Sequence, residues 1–373
     1  MTSSHRKQTN TAPANRDALR QQIASAQTRL YDRMHGLDPA ATGMSEYNQR
    51  YLQHKMHGLT GYLQLYGRLL LLALRDRDAS LEELVLVDYG GGTGLISLLA
   101  REVGIGTVVY NDIYDVSCRD VVILADRIGL GIDHVVPGDT GNLVAYLQQN
   151  DLVCDAVVSY DVLEHIYDVA SHFRSLSELP GPKVRVIHAS TANGANPMRV
   201  RLLRKLQREA EHRTREKRWG HKDRDCLEAY LDVRRRIITE YAPELSADAV
   251  DTLAVSTRGL IRADIESAVN EFRASGSISC SAADSTNTCD PYTGNWCEHL
   301  LDFDWLREVA LAHGFEADTL PDRYDTGGPL VRRCVKRVLN ALIGALGGHG
   351  LLLSSRYMLY AERTSPPVTN ETS

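Results

Sequence analysis

The stretch VLVDYGGGTGL, residues 85 to 95, sets four glycines (Gly90, Gly91, Gly92, Gly94) behind an aliphatic run and a single acid, Asp88. A strand, a glycine loop and a helix turn backbone N–H groups and the positive end of the helix toward a ligand. Alone, that arrangement suits several nucleotides. The dinucleotide fingerprint GxGxxG fails here, because the sixth residue is Leu95 counted from Gly90 and Ser97 counted from Gly92. A GxxxxGK[ST] phosphate loop is absent. Asp88 supplies the electrostatic argument: a pyrophosphate beside it would place like charges a few ångströms apart, an interaction of roughly several kcal/mol in partly buried protein. An acid at that point favours a cationic ligand.

A second cluster follows in DAVVSYDVLEHI, residues 155 to 166. Asp161, Glu164 and His165 stand at i, i+3 and i+4, one face if the segment is helical. Two carboxylates and an imidazole are candidate ligands for a divalent ion, although hard cations want more oxygen ligands than one turn supplies. His165, and His188 at the end of a later strand, are candidate bases for an acceptor hydroxyl or amine. Each histidine also has an ordinary structural reading, His188 as a hydrogen-bonded core residue and His165 as a member of its turn.

The elements that must position these residues are legible as an alternation. LVLVD, TVVYND, HVVPGD, CDAVVSYD and KVRVIHAS read as strands, separated by the helical GLISLLAREVG, VSCRDVVILADRIG, LVAYLQQN and VASHFRSLSELPG. Strands alternating with helices of about ten residues mean βαβ units and a parallel sheet. Two helices, RDALRQQIASAQTRLYDRM and SEYNQRYLQHKMHGLTGYLQLYGRLLLLALRDR, precede the first strand. After Asn196 the rhythm stops. A helical insertion with the basic segment Arg199 to Arg224, which includes Trp219, leads through a serine and threonine-rich loop to a closing helix, DFDWLREVALAHGF, and the strands EADTL and SSRYMLYAER. The division expected is a disordered tail over 1–16, cap helices over 17–80, a core over 81–196, an insertion and lid over 197–297, the rest of the core over 298–363 and a tail over 364–373. No internal repeat is visible.

VDYGGGTG resembles the first motif of the class I S-adenosylmethionine-dependent methyltransferases, an acid followed by GxGxG. Further stations of that family occur in order: VVYND ends in Asp112, PGDT offers Asp139 and Thr140, and DVLEH follows the fourth strand. The pattern is similar to that of the ubiquinone O-methyltransferase type. The resemblance covers residues 84–190 closely and the closing elements more loosely. It implies a Rossmann-like seven-stranded, mostly parallel sheet with helices on both faces, the last strand antiparallel, and S-adenosyl-L-methionine as cofactor. It also implies that Asp88, Gly90, Gly92, Gly94, Asp112, Ile113, Asp139, Thr140 and Asp161 form the cofactor site, with Asp112 on the ribose hydroxyls and Asp139 on the adenine amino group. As helix caps, Asp112 and Asp139 have an equally local explanation. In some relatives an acid-x-x-Glu-His turn holds a metal; the commoner reading is structural, with no metal.

Composition limits the acceptor. The 373 residues carry 42 basic and 48 acidic side chains, a formal charge of −6, which argues against broad electrostatic capture of nucleic acid. The NPPY-type turn of amino-methylating DNA enzymes is absent, as is any RNA-binding module. The expected reaction is O- or N-methylation of a small-molecule or lipid- or glycan-linked acceptor, with an anionic one suited to the basic insertion. An RNA methyltransferase using that insertion, or a non-catalytic binding protein that keeps the fold, are the alternatives.

Seven cysteines without a CxxC pair read as reduced thiols, and Cys280, Cys289 and Cys297 are too widely spaced for a familiar zinc site. The N-terminus has no apolar h-region, so a cytoplasmic protein is expected. Val338–Ser355, VLNALIGALGGHGLLLSS, has no acid, lysine or arginine. Its glycines point to an amphipathic helix, a turn and a buried strand, with a helix resting on a membrane face as the sharper reading and a true span the least favoured.

Overall fold

The computed structural model describes residues 12–77, 79–216, 225–279 and 286–364. Trp219, Cys280 and most of both expected tails lie outside the described residues. The chain divides into two compact units, residues 1–158 with 179–187, and residues 159–178 with 188–373. Among the described residues seven strands form one sheet, in the order β3 (His134–Pro137), β2 (Thr107–Asp112), β1 (Val85–Tyr89), β4 (Ala156–Tyr160), β5 (Val184–Ser190), β7 (Tyr357–Arg363) and β6 (Glu316–Pro321).

The first unit begins with α1 (Ala12–Met34), α2 (Glu46–His57) and α3 (Leu59–Leu74). Helix α1 starts inside the stretch expected to be a tail. The second expected helix is two, because the chain breaks at Gly58, whose N–H closes α2 on the Lys55 carbonyl at 3.1 Å. The unit continues with β1 (Val85–Tyr89), α4 (Leu95–Val103), β2 (Thr107–Asp112), α5 (Asp115–Arg127), β3 (His134–Pro137), α6 (Thr140–Gln149) and the start of β4 (Ala156–Tyr160). Strand β1 pairs in parallel with β2 and β4, and β2 with β3. All five residues of β1 are buried, as a central parallel strand requires. Helix α1 is tied to α4 by Arg29 and Arg33, which both pair with the buried Glu102 carboxylate.

The second unit takes up α7 (Val169–Ser177). Strand β5 (Val184–Ser190) begins in the first unit and ends in the second. The insertion supplies α8 (Pro197–His212), α9 (Tyr230–Tyr241), α10 (Ala247–Ser256) and α11 (Arg262–Ser275). Helices α9 to α11 bury a core of their own, including Val233, Ile237, Leu253, Ile265 and Val269. Helix α8 is not the uniformly solvated helix its composition suggests. Lys205 and Glu209 form an i,i+4 pair at 3.9 Å, but Glu211 is buried against Arg234 of α9.

The unit closes with α12 (Phe303–Ala312), β6 (Glu316–Pro321), α13 (Leu330–Leu346) and β7 (Tyr357–Arg363), the last two strands antiparallel. The buried strand expected after the glycines near residue 347 is instead a 3-10 turn, Gly347–Leu352. Gly350 folds back so closely on α13 that a Cβ there would lie 2.7 Å from the Ile343 carbonyl oxygen. Among the described residues no helix is long and apolar enough to cross a membrane, and the described cysteines are free thiols.

Candidate functional site

In the first unit the glycine loop joins β1 to α4. Gly94 has φ 74° and a Cβ there would fall 2.2 Å from the Val121 side chain, so the position tolerates neither a side chain nor an ordinary backbone. Asp88, at the end of β1, is fully buried. Its Oδ2 accepts the backbone N–H of Ser97 at 2.9 Å and the Ser97 hydroxyl at 2.8 Å. Its Oδ1 is buried without a hydrogen-bond partner among the described residues. Half of the carboxylate therefore fixes the start of α4, and the other half is a buried acceptor awaiting a donor. Burial pushes the Asp88 carboxyl up to about 6, against the pull of the Ser97 hydrogen bonds and the Lys55 charge.

Lys55 was not singled out in the sequence. It is buried on α2, donates to the Tyr66 hydroxyl at 2.8 Å, and sits 4.9 Å from the Tyr51 ring centroid and 5.5 Å from that of Tyr62. Tyr51 lies against the loop itself, 3.5 Å from where a Gly92 Cβ would stand. A lysine flanked by Tyr51, Tyr62 and Tyr66 at helical spacing was the available signal, overlooked because those tyrosines read equally well as a buried apolar face.

Asp112 does local work with both oxygens. Oδ2 accepts the Gly92 N–H and Oδ1 the Tyr114 N–H, each at 2.9 Å. A carboxylate oxygen has two lone pairs, so each can accept one further donor. Beside it Ile113 is half exposed, an apolar side chain left open next to the acid. Asp139 is exposed and caps α6 through a reciprocal pair with Asn142, its Oδ1 accepting the Asn142 N–H at 3.0 Å. Thr140 is buried and shares a 2.8 Å hydrogen bond with the Tyr89 hydroxyl.

The second unit holds the DVLEH turn. Residues 163–165 form a 3-10 turn and Asp161 precedes it at φ 54°, so the three side chains do not share an α-helical face. Asp161 accepts the Thr191 N–H at 2.9 Å. Glu164 is fully buried; its Oε1 accepts the Ser190 hydroxyl at 2.5 Å, while Oε2 has no partner among the described residues. The segment around Glu298 joins this turn, with the His299 N–H donating to the Glu164 carbonyl at 3.1 Å. Burial, reinforced by the Asp161 and Glu298 charges, lifts the Glu164 carboxyl well above its ordinary range. Glu298 is raised by burial too, and His165 opposes that rise. The His165 Nδ1 lies 2.9 Å from the Trp296 carbonyl, which can only accept, so Nδ1 carries the proton and Nε2 keeps a lone pair.

His188 is in a different position. It is fully buried, with Nδ1 2.6 Å from the Ser159 hydroxyl and Nε2 3.3 Å from the His172 ring, and burial alone brings its basicity down to about 3. The imidazole stays neutral at physiological pH, which gives it the structural role. Among the described residues no three His, Cys, Asp or Glu side chains stand where they could hold a metal ion.

The glycine loop closing a central strand of a parallel sheet in this order is the architecture of a class I S-adenosylmethionine-dependent methyltransferase domain. The cofactor of that class is S-adenosyl-L-methionine, and the partnerless Asp88 Oδ1 suits its positive charge. Residues 59–221 match the family model described as a methyltransferase domain. No curated protein matches the chain.

Solved structures are matched at low identity. A chain of the Haloferax volcanii complex between the Trm112 methyltransferase activator and a candidate methyltransferase is 16% identical, with 39% of this chain and 60% of that one covered and a TM-score of 0.29. An S-adenosylmethionine-dependent methyltransferase from Mesorhizobium loti is 14% identical, over 76% of this chain and 93% of that one, with a TM-score of 0.35. One from Aquifex aeolicus is 14% identical over 30% and 58%, with a TM-score of 0.24.

Proposed function

We propose that the whole chain transfers a methyl group from S-adenosyl-L-methionine to an oxygen or nitrogen of a small-molecule or lipid- or glycan-linked acceptor. The observation that carries the donor half is the buried Asp88 carboxylate, with one oxygen fixed by Ser97 and the other open. When bound, the cofactor supplies an electrophilic methyl whose bond to sulfur breaks as the bond to the acceptor forms. The chain's own work is alignment and, for a weakly acidic acceptor, removal of one proton.

His165 is the residue suited to that proton. The Trp296 carbonyl holds Nδ1–H and presents Nε2 as the acceptor, and a Glu298 carboxylate favours the imidazolium that results. Asp161 and Glu164 hold the turn through the backbone of Thr191 and the hydroxyl of Ser190. His188 takes no part in the proton transfer.

Titration calorimetry with S-adenosylmethionine and S-adenosylhomocysteine, followed by turnover of metabolite and lipid extracts with labelled cofactor, tests the reading. Absence of binding to either ligand sinks it. His165→Asn is expected to lower turnover by about a hundredfold and to leave cofactor affinity in place; unchanged turnover removes the residue from the mechanism.

A further inference from the structure

Helix α13 carries an apolar stripe that the second unit leaves open. Val331, Val335, Val338, Leu342 and Leu346 follow one another at three and four residue spacing, and all are exposed, Val331 to 75% and Val338 to 61%. The only buried side chain of the helix is Ile343, about 100° round the helix from the middle of that stripe. The same helix has four basic side chains, Arg332, Arg333, Lys336 and Arg337, and no acid. Lys336 pairs with Asp325. The three arginines are exposed and make no ion pair among the described residues.

Helix α8 repeats the pattern. Met198, Leu202 and Leu206 are exposed at i, i+4 and i+8, beside a stripe of exposed Arg201, Arg204 and Arg208. The start of α8 is tied to the turn after α13: the Asn193 side chain donates to the carbonyls of Leu351 and Ser354 at 2.9 and 2.8 Å, and that of Asn196 to Ser354 at 2.9 Å. Leu352, between those carbonyls, is exposed as well. Two basic, amphipathic helices thus meet at one corner of the unit.

We infer that α13, together with the adjoining α8, docks on the surface of an anionic lipid bilayer. An apolar face to sink into the acyl boundary and flanking arginines to reach the headgroups are what such a surface selects. The charge decides between occupants. The chain as a whole is acidic, at −6, so this basic corner is a local exception. A second copy packed on the same stripe would bring α13 against α13, and that helix offers no acid to pair the arginines.

The test uses the full chain and flotation with vesicles of phosphatidylcholine, or of equimolar phosphatidylcholine and phosphatidylglycerol. Binding is expected to the anionic vesicles alone and to fall as salt rises. Val335→Asp with Leu342→Asp should weaken it by more than about tenfold, and each of Arg332→Gln, Arg333→Gln and Arg337→Gln by about fivefold. Cofactor affinity and circular dichroism should not change; Val338→Gln replaces the double variant if that one fails to fold. A polarity-sensitive dye on the exposed Cys334 should shift to the blue with anionic vesicles, and the shift should vanish in Cys334→Ser. Several results would overturn the inference: no binding to anionic vesicles, binding indifferent to the aspartates, a dimer split by those aspartates without any lipid binding, or capture of RNA in place of vesicles.

Discussion

Cofactor affinity should depend on pH through Asp88. Its carboxyl stands near 6 in the folded protein against an ordinary 3.8, because burial penalises the charge. The sign follows from the raised value: the stabilising contribution of protonated Asp88 is complete below the ordinary value and is lost as pH rises through about 6. Ionising the group at neutral pH therefore costs the folded state about 3 kcal/mol. A cationic ligand bonded to Oδ1 recovers part of that cost and holds the carboxylate ionised. If the complex keeps Asp88 ionised throughout, affinity at pH 5 is about tenfold weaker than at pH 7. Calorimetry at pH 5, 6 and 7, in buffers of different ionisation enthalpy, reads both the affinity and the proton released. Asp88→Asn should bind roughly ten to a hundredfold more weakly and show a flat profile. In denaturant titrations the wild type should lose about 1.4 kcal/mol relative to Asp88→Asn between pH 5 and pH 7.5. Equal wild-type affinity at pH 5 and pH 7 would refute the reasoning. Comparing S-adenosylmethionine with S-adenosylhomocysteine locates the charge: a dependence shared by both assigns Asp88 to the ammonium, and one confined to the former assigns it to the sulfonium.

Other perturbations follow from the same geometry. Lys55→Met removes a cation that holds Asp88 down, so the midpoint of the affinity profile should move to higher pH; a profile that does not move disconnects the two residues. Gly94→Ala combines a left-handed backbone with a collision at Val121 and should destabilise by about 1–3 kcal/mol while abolishing cofactor binding, measured by thermal melting and calorimetry. Glu211→Ala leaves the buried Arg234 guanidinium without its partner and should cost about 3–5 kcal/mol in denaturant unfolding.

The parallel half of the fold was legible because buried parallel strands are contiguous aliphatic runs. The five residues of β1 show this, and Asp88 with the glycines after it marks the strand's end. The two-sided role of Asp88 was not legible, since Ser97 is an unremarkable residue until α4 turns it back onto the carboxylate. The cap reading of Asp139 was legible locally, and Asn142 three residues on completes it as a reciprocal capping pair. Glu298 and His299 lay beyond sequence reasoning altogether, because their pairing with the DVLEH turn is made by a backbone hydrogen bond across more than a hundred residues. The misread strand after residue 347 had the right composition, but composition does not record the close approach of Gly350 to Ile343.

The interleaving of the two units bears on the order in which the chain can fold. The first unit is not contiguous: it needs residues 179–187, which emerge only after the excursion 159–178 has been made. Its last piece thus arrives before residues 188–373 of the second unit have been made. The turn bearing His165 precedes by 131 residues the Trp296 carbonyl that fixes its imidazole. A growing chain therefore has its glycine loop well before the His165 imidazole is oriented.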